Sequence, residues 1–190
     1  MNWGNESIMK NVARERWQKI RAVVLDIDGI LTDGRIGYGV GSDEEIKYFH
    51  VRDGHGIKLA MRAGFKVGVL SGRQSAANAR RAEELGFSFV YENKKDKASA
   101  FAELLAEQSL QAEEVLYMGD DTVDLPVMRQ AGIAVTVADA PEYMDTAADF
   151  RTKHSGGQGA VREVMDFLLM QSGKWSEVME RYGLGEYKLQ

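Results

Sequence analysis

Ala22-Val23-Val24-Leu25-Asp26-Ile27-Asp28 is the stretch from which the fold can be read. A continuous apolar run of this length, rich in Val and Ile, reads as a strand buried on both faces. Gly29 interrupts it. Downstream, Gly34, Gly37, Gly39 and Gly41 punctuate a segment ending in the alternating run Ile46-Lys47-Tyr48-Phe49-His50, a hairpin pattern with its turn near Gly41-Ser42-Asp43. From residue 54 two kinds of segment alternate. Helices are expected around Ile57, Leu59, Ala60 and Met61 up to Gly64, then over 75–85, 96–108, 125–130 and 160–170. Strands are expected over 65–70, 87–91, 115–118 and 133–137. This alternation makes a Rossmann-like, doubly wound α/β fold: a parallel sheet with helices on both faces and a hairpin flap. Ligands of such sheets bind outside the carboxyl ends of the strands.

Those strand ends carry the chemistry. The first ends in Asp26 and Asp28, the second in Ser71-Gly72-Arg73; Lys94-Lys95-Asp96-Lys97 follows the third, and Gly119-Asp120-Asp121 with Asp124 the fourth. Carboxylates packed together in an apolar frame repel one another and need a cation among them. Oxygen ligands without His or Cys suit a hard ion, and magnesium is the usual one in phosphate chemistry. Ser71, the backbone N–H groups of Ile27 and Gly72, and the Lys97 ammonium complement the negative oxygens of a phosphoryl group. An attacking carboxylate, an acid/base, a metal and a cationic clamp form a set for phosphoryl transfer through an aspartyl-phosphate. A lone Asp after a strand is a cap or turn residue; four motif-like segments at four successive strand ends are hard to obtain from turn chemistry.

The bulk composition agrees. Lys and Arg number 24 against 29 Asp and Glu, a net charge of −5 that disfavours a nucleic-acid partner. With no cysteine, a disulfide framework, a thiolate nucleophile and a cysteine zinc site are excluded. No apolar stretch approaches the roughly 20 residues that span a bilayer. Asn5, Glu6 and Lys10 replace the apolar centre of a signal peptide, so a cytoplasmic location is expected.

In order and spacing, Asp26-Ile27-Asp28-Gly29-Ile30-Leu31-Thr32-Asp33-Gly34, Ser71, Lys97 and Gly119-Asp120-Asp121-Thr122-Val123-Asp124 resemble the motifs of the haloacid dehalogenase superfamily. The interval between the first two motifs has room for a hairpin and one helix only, which is similar to the subfamily without a cap domain. Residues 50–58, 70–73, 124–128, 137–140 and 156–163 are similar to the branch acting on an eight-carbon sugar-acid ester, 3-deoxy-D-manno-octulosonate 8-phosphate, in lipopolysaccharide synthesis. The resemblance covers about residues 20–173. It implies a magnesium-dependent phosphomonoesterase with Asp26 as nucleophile and Asp28 as acid/base, assisted by Ser71 and Lys97. Asp26, the carbonyl of Asp28 and Asp120 would hold Mg2+, supported by Thr32, Asp121 and Asp124. Asp28, His50, Val51, Arg52, Asp53, Gly54, Lys58, Arg73 and Lys97 would line the substrate pocket. It further implies a homotetramer in which the hairpin, about residues 34–48, closes a neighbour's site.

Three expectations complete the reading. Residues 1–20 form an N-terminal extension, with Val12, Trp17 and Ile20 on its packing side, 21–173 the phosphatase domain, and 174–190 a tail whose Trp175, Met179, Tyr182 and Leu184 can dock on a partner chain. Family members often carry Arg or Lys where Gln158 stands, which keeps a nine-carbon, sialic-acid-type 9-phosphate open as substrate. Outside this chemistry, a receiver domain conflicts with Asp28, Thr32 and the hairpin insertion, and an idle oligomerisation module conflicts with the complete motif set.

Overall fold

The computed structural model describes residues 12–39 and 45–184, so the hairpin turn near Gly41-Ser42-Asp43, residues 1–11 and residues 185–190 lie outside the described residues. Strand β1 (Ala22–Leu25) begins the sheet, and a short hairpin pairs β2 (Gly37–Tyr38) with β3 (Glu45–Ile46). Helix α2 (Val51–Arg62), β4 (Lys66–Leu70), α3 (Ala76–Leu85), β5 (Phe89–Tyr91), α4 (Lys97–Gln108) and β6 (Val115–Met118) follow. The chain then forms α5 (Leu125–Met128), β7 (Ile133–Thr136), β8 (Phe150–Arg151) and α6 (Ala160–Gln171); α1 (Arg14–Lys19) precedes β1 and α7 (Trp175–Met179) closes the order.

The six-stranded sheet runs β5-β4-β1-β6-β7-β8, and every recorded pairing in it is parallel. β1 lies at its centre, with Val24 beside Gly68 on one side and Tyr117 on the other. The chain leaves β1 toward β4 and β5, then returns across it to β6, so β1 marks the point where strand order reverses. A crevice opens there at the carboxyl ends.

Alternation along each strand feeds two apolar layers. Val23, Leu25, Leu116 and Met118 join Ile57, Leu59, Val164 and Leu168 of α2 and α6. Ala22, Val24, Val115 and Tyr117 join Phe101 and Leu104 of α4 and Val127 and Met128 of α5. Between β1 and β4 the described residues hold only the hairpin and α2, with no cap domain among them.

Val12, Trp17 and Ile20 pack into the core, as expected of the packing side of the N-terminal segment. Three features differ from the sequence reading. Residues 175–179 pack into the same core, with Val178 and Met179 buried. Met179 thus docks on its own domain. β8 and a 3-10 turn over Glu142–Thr146 were not foreseen, because a two-residue edge strand has too short a pattern. Finally, α2 starts at Val51, ahead of residue 54 where the alternation of segments was expected to begin, so Arg52-Asp53-Gly54 is its first turn. Glycines at 54 and 56 each cost about 1 kcal/mol in a helix. Here they allow close approach: a Cβ on Gly56 would sit 2.9 Å from Arg162 Cδ of α6.

Trp17 packs edge-on against Phe167 with ring centroids 5.0 Å apart and lies 5.7 Å from Phe150. Trp17→Ala is expected to destabilise the fold by about 3–5 kcal/mol, the range for emptying a buried Trp site. Urea denaturation measures this, and a loss below about 1 kcal/mol, the average for point changes, would place α1 outside the cooperative core.

Candidate active site

The backbone beyond β1 builds the floor of the crevice. The Asp26 N–H donates to the Met118 carbonyl at 3.0 Å, continuing the ladder one residue past the strand. The Ile27 carbonyl then accepts the N–H groups of Ile30, Leu31 and Thr32. Buried Thr32 closes the turn, its hydroxyl accepting the Gly34 N–H at 3.2 Å. Gly29 has φ +86°, and a Cβ there would sit 1.9 Å from Asp120 Oδ2, so glycine suits both the backbone of this turn and the close approach of the Asp120 carboxylate.

A cleft of about 400 Å³ results, lined by Asp26, Asp28, Gly34, Ser71, Gly72, Arg73, Lys95, Lys97, Asp120, Asp121 and Val123. Asp26, Asp120 and Asp124 each place a carboxylate oxygen within 4.8 Å of the others. Lys97, buried at the start of α4, bridges two of them: Nζ lies 2.9 Å from Asp26 Oδ2 and 2.7 Å from Asp124 Oδ1. Asp124 is saturated by donors. Besides Lys97 it accepts the Tyr117 hydroxyl at 2.5 Å and the N–H groups of Asp120 and Asp121 at 3.1 and 3.3 Å. The three carboxylates together could hold a cation, and of them Asp26 and Asp120 accept fewer hydrogen bonds than Asp124.

Charge states follow from this geometry. Burial pushes Asp26 up to about 7; Lys97 opposes the shift and Asp124 adds to it. Burial, then repulsion from Asp26 and Asp124, pushes Asp120 up to about 8. Burial works against the Lys97 charge, but Asp26 and Asp124 outweigh it and hold its ammonium above the usual lysine range. Asp121 goes the other way, lowered by the Tyr143 hydroxyl at 2.7 Å and the Thr122 N–H. Near neutrality Asp26 and Asp120 need either protons or a cation, and an all-oxygen donor set fits a hard divalent ion such as magnesium.

Around this floor stand the groups for a phosphate. Ser71 Oγ is buried and accepts the Arg73 N–H at 3.2 Å, leaving its own hydrogen to donate. Asp28 does not join the carboxylate cluster: its Oδ1 takes the Lys47 ammonium at 2.6 Å.

Several residues expected around the substrate stand elsewhere. Val51 and Arg52 are exposed at the start of α2, and His50 is half-buried. Asp53 is turned inward, accepting the Gly159 and Arg162 N–H groups at 3.3 and 2.7 Å, so it caps α6. Gly54 is buried against Arg81, and Lys58 donates to the Glu84 carbonyl at 2.9 Å. Gln158 is exposed and does not line the cleft. In turn, Tyr117, Lys47, Lys95 and Val123 were not singled out. Lys95 and Val123 fall inside the quoted segments 94–97 and 119–124, and Tyr117 is a hydroxyl at a buried strand position two residues before Gly119.

The family profile described as haloacid dehalogenase-like hydrolase matches residues 84–165. The 3-deoxy-D-manno-octulosonate 8-phosphate phosphatase of Escherichia coli K12 is 42% identical over 160 residues, covering 84% of this chain and 85% of the relative. The chain belongs to this phosphatase family. Two solved members are similar throughout. That of Moraxella catarrhalis, in complex with magnesium, phosphate and KDO, is 32% identical with a TM-score of 0.85, covering 89% of this chain and 97% of that one. The cobalt-bound member from Haemophilus influenzae is 40% identical with a TM-score of 0.83, covering 91% and 99%.

The raised carboxylates predict a pH-dependent response to metal. Below pH 3.8, the ordinary value of both, the folded and unfolded chains are alike protonated. As pH rises from there to about 8 the unfolded chain loses its protons first, so the cation-free fold loses stability across this window. Added Mg2+ is therefore expected to raise Tm more at pH 8 than at pH 5. Differential scanning calorimetry reads this, and equal shifts at the two pH values would remove Asp26 and Asp120 as ligands.

Proposed function

We propose that the protein is a magnesium-dependent phosphomonoesterase that hydrolyses 3-deoxy-D-manno-octulosonate 8-phosphate to the sugar acid and phosphate. The observation that carries this is Asp26 at the floor of the cleft, one oxygen held by Lys97 at 2.9 Å and the carboxylate facing Asp120. The substrate comes from the relatives: proteins of that name are 42% identical over most of the chain, and the Moraxella catarrhalis structure contains KDO with magnesium and phosphate.

The steps use this chain's own groups. A carboxylate oxygen of Asp26 attacks phosphorus while the bond from phosphorus to the sugar oxygen breaks. Asp28, on the cleft wall, gives its proton to the departing alkoxide. The Ser71 hydroxyl, the Ile27 and Gly72 N–H groups and Lys97 receive the charge on the phosphoryl oxygens. Asp28, now a carboxylate, takes a proton from water; the water oxygen attacks phosphorus, the bond to Asp26 breaks and phosphate leaves. Held by Asp26, Asp120 and the carbonyl of Asp28, magnesium would neutralise the carboxylates and screen the incoming dianion.

Assembly belongs to the same proposal. Tyr38, Ile46, Tyr48 and Val51 are 69%, 46%, 74% and 80% exposed, an apolar patch on and beside the hairpin. A two-stranded hairpin is marginal alone, and an exposed apolar patch marks an interaction surface. A homotetramer that covers it would bring His50, Val51 and Arg52, which stand outside their own chain's cleft, to a neighbour's substrate.

A panel of sugar phosphates, including the eight-carbon 8-phosphate and a nine-carbon 9-phosphate, tests the reading by phosphate release. Fastest turnover of the eight-carbon ester, loss with chelator and restoration by Mg2+ are expected; preference for the nine-carbon ester would change the substrate. Asp26→Asn is expected to fold and to lose at least about a thousandfold in kcat, the scale of removing a nucleophile. Substantial remaining turnover would reject Asp26 as nucleophile. In sedimentation a monomer at micromolar concentration would reject the assembly.

A further inference from the structure

Asp28 makes its one hydrogen bond through a single oxygen. Its Oδ1 accepts the Lys47 ammonium at 2.6 Å. Its Oδ2 is buried without a hydrogen-bond partner, with Arg73 Nε at 3.8 Å, and Asp28 lines the cleft. The Lys47 side chain is itself 0% exposed. It follows β3 directly, and Glu45 of that strand stands 3.8 Å from its Nζ while also engaging the Arg73 guanidinium. Burying an ammonium forfeits a large hydration energy, which good pairing only offsets. An anchor for the hairpin needs no charge, because a methionine of similar length would fill the space without that cost.

We infer that Lys47 is a positioning residue for the acid/base: it clamps Asp28 Oδ1 and so fixes how the carboxyl group that lines the cleft is presented to the leaving oxygen of the substrate. This rests on the phosphatase reading above. Because Lys47 comes from the hairpin, seating of the hairpin and alignment of Asp28 become one event.

The test compares two substrates by kcat/KM, using the full chain with Mg2+. The sugar-acid 8-phosphate releases an alkoxide that needs a proton. p-Nitrophenyl phosphate releases a phenolate that does not. Lys47→Met is expected to lower kcat/KM on the sugar ester by about 100-fold, within the range a general acid contributes, and on p-nitrophenyl phosphate by no more than about threefold. Equal losses on both, or none on either, would overturn the assignment and leave Lys47 as a hairpin anchor. Should circular dichroism show that Lys47→Met does not fold, Lys47→Gln keeps length and a donor; a smaller loss confined to the sugar ester supports the clamp, and equal losses reject it. A wild-type protein that releases phosphate from neither substrate sinks the phosphatase reading itself, and the clamp falls with it.

Discussion

Three carboxylates within 4.8 Å of one another, in a frame of buried aliphatic side chains, set the terms for the rest of the molecule. Such a group cannot all be ionised without compensation. Lys97 supplies one positive charge between Asp26 and Asp124, and Tyr117 and two backbone N–H groups satisfy Asp124. What remains uncompensated is Asp26 against Asp120, pushed up to about 7 and about 8. A divalent cation held there would close that deficit and would screen an incoming phosphate dianion.

The sheet makes this crowding possible. Because β1 lies between β4 and β6, the residues beyond its end meet the ends of both neighbours. Asp26, Ser71 and Asp120 converge there although 94 positions separate the first from the last (120 minus 26). At Gly29 the positive φ and the closeness of the Asp120 carboxylate both favour a residue without a side chain. Lys97, at the start of α4, enters from the adjacent layer and carries its charge into the floor instead of into solvent.

A second charge network lies along the wall. Contacts among Asp28, Lys47, Glu45 and Arg73 tie the hairpin to the cleft. The hairpin thus turns its charges inward and its apolar residues outward. Lys47 is buried while Ile46 and Tyr48 on either side are exposed. For an isolated soluble strand the opposite is expected, since one face buries its apolar side chains.

Period and spacing in the sequence determined five of the six strands of the central sheet, most helices and the residues at the carboxyl ends. A run such as Val115–Met118 is apolar whatever its neighbours are, and glycines such as Gly86 stop helices by their own backbone freedom. Asp26, Ser71, Lys97 and Asp120 were legible because parallel strands must end on one edge. The tertiary structure alone decided which charges meet. Asp28 pairing with Lys47 across 19 positions, Asp53 turning from the substrate side to cap α6, and Trp17 joining the core each depend on a contact between distant segments. Local pattern carries no record of such contacts, because a side chain's preference for solvent or partner is settled by what the fold brings beside it.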